Sequence, residues 1–518
     1  NSRTIGVNGS MNFVSLYNKV PFLRKVNRPS PRKQRKDTDD DNPDAKKEGM
    51  SAGTKGLLQF LMMLKQAQIG LNYTNGTTLP GFTKSIDYGG QNFKNNTPGW
   101  PFIFGAQNDN FRQEIATNGF LTQDVNQIAR YLSLSSMDIN GSATVEPFKG
   151  FRISVSFNKR QSLNVNSNFR YSEESSSFED QIYTEMGTFS TSFGTWNTMF
   201  DKLGDDYSSP TFNQFKDNRY VIAQRLQTRE FVDGAYKDLY GNQLNAIDDS
   251  TGFPLGFSNK HQEVLLHSFI AAYSGKNAND VELTPFKKLP IPNWRISYNG
   301  LSKLDFFKEI FSNISLSHAY SSTLSIGSFQ RPLEYGSDEL ERGGNLATKF
   351  LYQSGVTIVE RLAPLLGIDI TTKAGLTLKL EYKTDRNLQL NVVTARMVEQ
   401  RNKEYVIGAG FRTSGLRLPL KFQGKNIILS NDLNFRFDFS IRDGATIVRT
   451  LEANNGEDSY IPTAGIRSVS IRPSIDYKIN DALNFRMFYN RNANNPVTSN
   501  SFPSALTDFG VTLRYTLQ

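Results

Sequence analysis

The sequence predicts an all-β protein, an antiparallel transmembrane β-barrel whose long loops contain short helices. First, the chain is rich in aromatic residues, with 38 Phe and 21 Tyr among 518 residues, although its mean hydropathy is −0.46. Second, apolar residues occupy every second position in many segments, which is the period of a strand with one apolar face. Third, the longest apolar run, GLLQFLMML at 56–64, is far shorter than the roughly 20 residues of a transmembrane helix.

The alternation assigns side chains to two faces of the predicted wall. Over 433–441 and 509–517 the odd positions are apolar, and the positions between them are polar, charged or Gly. A transmembrane strand turns its apolar side chains toward lipid and its polar side chains toward the barrel interior. The predicted lipid-facing residues are Phe435, Phe437, Phe439, Val511, Leu513 and Tyr515. The predicted pore-lining residues are Arg152, Lys379, Glu381, Arg436, Asp438 and Arg514.

A soluble surface adhesin built as a β-sandwich would also show alternation, with the apolar faces turned inward. Two features count against it. The alternating segments run to about ten residues, whereas strands of soluble proteins centre on about 5–6. Their polar positions also carry Arg, Lys, Asp and Glu in one segment after another, as a wet lumen would.

Turn signals divide the alternating segments into hairpins. PFKG at 147–150, QGKN at 423–426, RDG at 442–444 and KINDA at 478–482 each predict a turn between two strands. LRLPLKF at 416–422 repeats the alternation and predicts a further barrel strand. The predicted organisation is a barrel strand over 1–17, a charged flexible loop over 18–56, barrel strands with long loops over 57–194, a partly helical insertion over 195–288, and barrel hairpins over 289–518 up to the C-terminal strand.

The insertion carries the helical signals. Apolar residues at helical spacing over 218–231 and 261–275 predict two helices, and Gly275 is the expected cap of the second. Helices of barrel proteins lie in a long loop or plug the lumen, and the sequence leaves both positions open.

Nothing in the sequence indicates an active site or a cofactor. The chain has no Cys, and of its three histidines His261 and His267 are six positions apart, which is the wrong spacing for a ligand pair on one helical face. His318 lies in an alternating segment, and no nucleophile elbow, zinc-protease or phosphate-loop motif is present. The net charge of +9 is spread along the chain, so a nucleic-acid partner is not expected. We therefore expect a protein that is not an enzyme.

One acidic run has the spacing of a calcium loop. Asp37, Asp39 and Asp41 fall at alternate positions, and Glu48 is twelfth in the run. However, Asn42 stands where the loop glycine is expected, so the pattern is a weak metal candidate and a solvated charge run is favoured.

The stretch LPIPNWRISYNG at 289–300 combines a break with the start of a strand. Pro290 and Pro292 end any preceding regular structure, and Trp294 opens an alternating segment. Trp collects at the lipid–water boundary of membrane proteins. Trp294 is therefore the predicted interface anchor of a membrane strand.

Five segments in this order resemble a known family: TTLPGF (77–82), GWPFIFGAQ (99–107), SFIAAYSGK (268–276), LPIPNWRISYNGL (289–301) and SLSHAYSS (315–322). They resemble the C-terminal region of the SprA/Sov proteins, the outer-membrane translocons of the type IX secretion system in Bacteroidota. The resemblance runs through most of the chain.

The resemblance implies a very large single-chain barrel that passes folded cargo proteins to the cell surface. It implies that this chain is the C-terminal part, whose wall closes against the remainder of the same polypeptide. The implied partners are secreted cargo proteins, a small PorV-like barrel that covers a lateral opening, a periplasmic plug protein and outer-membrane lipid. A self-contained outer-membrane transporter or receptor of about 14–16 strands is the alternative. It predicts an N-terminal plug domain, whereas alternating strands begin almost at once here.

Overall fold

The protein is built on one antiparallel sheet of fourteen strands, as seen in a computed structural model. The structure describes residues 1–27, 58, 62–106, 108, 110–230, 246–332, 346, 348–422, 425–451, 459–497 and 501–516. The strands are β1 Ser2–Asn12, β2 Leu64–Thr78, β3 Tyr131–Phe148, β4 Phe151–Ser172, β5 Ser177–Ser192, β6 Asn293–Tyr298, β7 Phe311–Gln330, β8 Val356–Thr372, β9 Leu376–Asn391, β10 Arg396–Thr413, β11 Leu416–Phe422, β12 Lys425–Leu429, β13 Leu433–Thr450, β14 Ser459–Lys478, β15 Leu483–Pro496 and β16 Ser504–Tyr515.

The helices are few and lie in the connections between strands. They are α1 Phe13–Lys19, α2 Pro21–Asn27, α3 Trp100–Ile103, α4 Phe111–Thr117, α5 Pro210–Thr228, α6 Gln262–Ser274 and α7 Asp305–Lys308, with short 3₁₀ turns at Tyr88–Gly90 and Leu301–Lys303. The two predicted helices of the insertion are confirmed as α5 and α6, and Gly275 ends α6 in the left-handed conformation at φ 67°. Glycine adopts this conformation without the steric penalty of a Cβ.

Strand order follows chain order across the sheet, from β1 to β16, with two exceptions. β6 lies in line with β5, and the hairpin β11–β12 forms a small sheet of its own. The segment LRLPLKF is therefore a strand outside the main sheet, which corrects the prediction of a further barrel strand.

Two other expectations are corrected. The strand predicted over 1–17 ends at Asn12, because the Asn12 side chain accepts a hydrogen bond from the Ser15 backbone N–H (3.1 Å) and caps helix α1. The turn predicted at RDG lies inside β13, where Asp443 pairs with Lys403 on one side and with Arg467 on the other. Most of the loop predicted over 18–56 lies outside the described residues.

Strand β5 is interrupted in mid-sheet, and β6 completes it. The β5 strand ends at Ser192, and the chain returns at Asn293 to pair with the next free residues of the same two neighbours, β4 and β7. The Ile291 N–H donates to the Ser192 carbonyl oxygen at 3.1 Å, so the two ends of the excursion meet. Residues 193–292 are thus an insertion within one strand, and the fourteen strands occupy thirteen positions.

The main core lies between the helices of this insertion and the sheet. Phe212, Phe215 and Ile222 of α5 and most of α6 are fully buried. They pack on apolar side chains of the sheet near one end of its strands, namely Leu324, Ile326, Val356, Ile358, Leu388, Leu390 and Met397. A smaller core joins the 79–130 connection to Tyr131 and Phe169.

Candidate membrane-facing and pore-lining surfaces

The strand register sorts side chains onto two faces, because directly paired residues project to the same side. The pairs Leu376–Phe411 and Phe411–Phe435 belong to one side, and Thr377–Gly410 and Gly410–Arg436 belong to the other. We call the first the apolar face and the second the polar face. The insertion core packs on the apolar face, so the described part of the insertion does not occupy the polar face.

All six residues that the sequence assigns to a pore lie on the polar face. The Lys379 ammonium is 3.0 Å from the Glu381 carboxylate, and Asp438 is directly paired with Gly408 and Arg472. A groove of about 1090 Å³ follows this face across β13–β16. Its charged lining residues are Arg412, Asp432, Arg436, Asp438, Arg472, Asp476, Lys478, Arg486, Asp508 and Arg514. Both signs of charge alternate along it, as in a hydrated channel.

All six residues that the sequence assigns to lipid lie on the apolar face. Phe435 is 41% exposed, and Leu513 and Tyr515 are more than 60% exposed, which water alone would not favour. On β9 the uninterrupted band runs from Leu376 to Thr384. Nine residues span about 30 Å along a strand, or about 21–25 Å of height at a tilt of 35–45°, close to the apolar band of outer-membrane barrels.

A row of buried charges ends this band on the apolar face, and sequence reasoning missed it. Arg386 makes two parallel hydrogen bonds to the Glu360 carboxylate, at 2.8 and 2.9 Å. On the next strands Glu399 accepts from Arg401 and from Arg449 Nε, the latter at 2.9 Å. Arg386, Arg449, Glu360 and Glu399 are all nearly inaccessible to solvent. A signal was available, because these residues are in phase with the apolar positions of their strands.

The arginines of this row hold the first part of the insertion against the sheet. Arg386 Nη1 donates to the Thr198 carbonyl oxygen at 3.0 Å, Arg401 Nη1 to that of Asp201 at 2.6 Å and Arg449 Nη1 to that of Tyr207 at 2.7 Å. We call residues 193–207 the lateral segment, because it crosses from β7 toward β13. Charged hydrogen bonds to buried carbonyl groups are among the stronger ones in proteins.

Trp294, the predicted interface anchor, lies on the apolar face where the interrupted strand resumes. Its ring stacks on Tyr320 with centroids 4.5 Å apart, and its centroid is 5.7 Å from that of Trp196 in the lateral segment. The aromatic group thus marks the boundary between the exposed apolar band and the covered part of the sheet. Its contact with lipid stays a prediction.

The histidines occupy structural positions. His318 Nδ1 lies 2.7 Å from the Leu365 carbonyl oxygen, at an irregular stretch of β8. Burial lowers the pKa of His261 to about 4 and that of His267 to about 3, so both are neutral near pH 7. His261 Nε2 lies 3.1 Å from the Leu346 carbonyl oxygen.

The weak calcium candidate, Asp37, Asp39, Asp41 and Glu48, lies outside the described residues. Within the described ranges, no group of three or more His, Cys, Asp or Glu side chains could hold a metal ion. Across that same part of the chain, no helix has the length and apolarity needed to cross a bilayer.

The long antiparallel strands, the exposed apolar band and the charged opposite face together define the fold class. The chain is an antiparallel sheet of the transmembrane β-barrel class.

Comparison with protein-family models finds no match, and comparison with curated proteins finds none either. Among solved structures the chain is similar to the RagAB peptide transporter, with a TM-score of 0.25 and 8% identity over 84% of this chain and 45% of that chain. It is also similar to OmpT, an outer membrane protein of Vibrio cholerae in its trimer form, with a TM-score of 0.19 and 9% identity over 74% of this chain and 95% of that chain. The chain thus spans less than half the length of the transporter chain.

Proposed function

We propose that this chain forms part of the wall of a protein-conducting outer-membrane pore, of the kind that passes folded cargo in type IX secretion. The wall would continue into further strands of the same polypeptide. The observation that carries this proposal is the direction of the two edge strands.

Each strand of the sheet is antiparallel to its neighbours, and thirteen positions are filled. An odd number of positions makes β1 and β16 run in the same direction. Both are unpaired on their outer side among the described residues. Bacterial single-chain barrels have an even number of antiparallel strands, and lipid gives unpaired backbone groups no substitute partner. The sheet therefore needs an odd number of additional strands to close, which favours a larger wall over a self-contained barrel.

The polar face supports a conduit for proteins. Its charges are of both signs and close together, for example Arg486 Nε and Asp476 Oδ1 at 3.6 Å. A lining of one sign would accumulate and retain cargo of the opposite charge, whereas a mixed lining holds passing surfaces only weakly. The PorV-like partner, the periplasmic plug and an origin in Bacteroidota belong to the proposal through the family resemblance alone.

Cysteine accessibility tests this function, because the chain has no native Cys. Arg436→Cys on the polar face and its neighbour Phe437→Cys on the apolar face form a matched pair. Each variant of the native, full-length protein is treated in membrane vesicles with a small water-soluble maleimide, and separately with a maleimide carried on a small folded protein. A protein-conducting pore predicts that Arg436→Cys reacts with both reagents and that Phe437→Cys reacts with neither.

The other outcomes separate the alternatives. If Arg436→Cys reacts only with the small reagent, the lumen is narrow, and a self-contained transporter replaces the proposed pore. If both variants react with both reagents, the apolar face is not in lipid, and a soluble sheet protein is indicated.

A further inference from the structure

We propose that the lateral segment, residues 193–207, lies in the lipid headgroup region at the edge of the apolar band and inserts Trp196 and Phe200 among the lipids. This inference rests on the proposed placement of the apolar band in the membrane. It assigns a lipid-binding surface to the insertion, outside the barrel wall itself.

The lateral segment is fixed to the apolar face along its length. The Phe193 N–H donates to the Ser322 carbonyl oxygen at 3.0 Å, and the Thr195 N–H donates to the Tyr320 hydroxyl at 2.9 Å. The three arginines of the charged row hold the carbonyl groups farther along. The segment therefore follows the edge of the apolar band across successive strands, from β7 to β13.

Its outward surface has the chemistry of an interfacial element. Trp196 is 43% exposed and Phe200 is 60% exposed. Exposed Leu366 of β8 continues this surface into the apolar band, and Lys202 is exposed on the same segment. An indole ring between hydrocarbon and water is typical of membrane interfaces.

The charged row makes this position compatible with lipid. Arg386 and Glu360 sit on the same face as the band, and a bare charge pair at its edge would be costly to desolvate. The lateral segment covers them, and Thr198 accepts from Arg386 Nη1 at its carbonyl oxygen and from Arg386 Nη2 at its Oγ1, each at 3.0 Å. Because the segment borders the apolar band from β7 to β13, the lipid proposed to face the band also reaches the exposed rings of the segment.

Depth-dependent fluorescence quenching tests the inference. In the native, full-length protein carrying Trp100→Phe and Trp294→Phe, Trp196 is the one Trp left in this chain, and its signal is the difference from the same protein that also carries Trp196→Phe. Each protein is placed in phosphatidylcholine vesicles brominated either near the headgroup or deep in the acyl chain. Two reference probes use the background that also carries Trp196→Phe: Phe437→Trp reports on the middle of the band, and Phe488→Trp reports on the polar groove.

We expect shallow bromine to quench Trp196 at least twofold more than deep bromine does. Phe437→Trp should be quenched more by deep bromine, and Phe488→Trp by neither lipid. If Trp196 is unquenched while Phe437→Trp is quenched, the inference fails and the membrane placement stands. If Phe437→Trp is also unquenched, the membrane placement itself fails.

A second measurement covers the case in which the Trp substitutions disturb folding. Phe200→Cys with all Trp residues kept can carry a nitroxide label, since no other Cys is present in this chain. Collision with both oxygen and a water-soluble nickel chelate is expected at the interface. Collision with the chelate alone would place Phe200 in water and overturn the inference.

Discussion

At the scale of single residues, the charged row is unusual because its ionised side chains are buried on the apolar face of the sheet. Arg386 and Glu360 occupy positions in phase with apolar residues and are almost completely buried. Such a pair is stable only while each charge keeps its partner, because the interior does not replace the lost hydration. In the sequence the pair is visible as two charged residues at positions where the alternation expects apolar ones. The sequence does not show that the lateral segment buries them.

Arg386→Met should lower the free energy of unfolding by about 3–5 kcal/mol, because it leaves the Glu360 carboxylate buried and uncompensated. The double variant Glu360→Leu/Arg386→Met should be less destabilised than the single variant, since no charge remains. Guanidinium unfolding of the native protein in detergent, followed by Trp fluorescence, measures both. Lys308→Ala, which breaks an exposed ion pair with Asp305, is the control and should change nothing measurable. Equal losses in the single and double variants would contradict the expectation.

The buried histidines of the insertion make its stability depend on pH. His261 and His267 have pKa values lowered by burial, to about 4 and about 3, whereas an unfolded His has a pKa of about 6.5. Between these values the unfolded state binds more protons, so stability falls as the pH falls below about 6.5. At pH 5 each histidine should cost about 2 kcal/mol relative to pH 7.

Limited proteolysis of residues 193–292 should therefore be faster at pH 5 than at pH 7. His261→Gln/His267→Gln also changes the stability at neutral pH, so the readout is the ratio of the cleavage rates at the two pH values. That ratio should approach one in the double variant. A ratio unchanged from the parent protein would show that other groups control the acid response.

At the scale of elements, the alternation correctly grouped the side chains of each strand by face, because face is a local property with a period of two residues. Two features could not be found in this way. RDG predicts a turn because Asp-Gly favours turns, but Gly444 lies inside β13, paired with Asn402 of β10. The continuity of β5 and β6 depends on their shared partners β4 and β7, which local patterns do not reveal.

The interrupted strand predicts how the insertion can be removed. In the register with β4, Ser192 lies opposite the position of Asn158 and Asn293 pairs with Ser156, so one residue is missing opposite Phe157. Replacing residues 193–292 by a single Thr should restore a continuous strand. A two-residue bridge should turn β6 over and place Trp294 on the polar face.

Retention of an SDS-resistant, heat-modifiable form in the full-length protein measures this effect. The one-residue bridge should retain more of that form than the two-residue bridge does. Both variants carry Leu388→Thr and Leu390→Thr, because excision uncovers these core residues. If the two bridges behave alike, β5 and β6 are not two halves of one strand.

At the scale of the whole molecule, the odd number of strand positions predicts that the sheet does not close on itself. The edge strands β1 and β16 run in the same direction and are not paired with each other. Val7 of β1 and Val511 of β16 both lie on the apolar face. Val7→Cys/Val511→Cys should therefore form no disulfide within the chain under oxidation in membranes. Met487→Cys/Val511→Cys, which joins directly paired residues of β15 and β16, is the positive control. A β1–β16 disulfide would contradict the larger wall and favour a barrel closed by these strands.

The two ends of the insertion lie next to each other, so the insertion could be replaced by another folded domain. Because the Ile291 N–H donates to the Ser192 carbonyl oxygen, the insertion leaves and re-enters the strand at adjacent points, as a loop does. A folded unit with neighbouring termini can be inserted into a host with little strain. The strands of the sheet and the insertion that packs on its apolar face can therefore change independently. This point in the strand is where a foreign domain could replace the insertion without altering the polar face of the sheet.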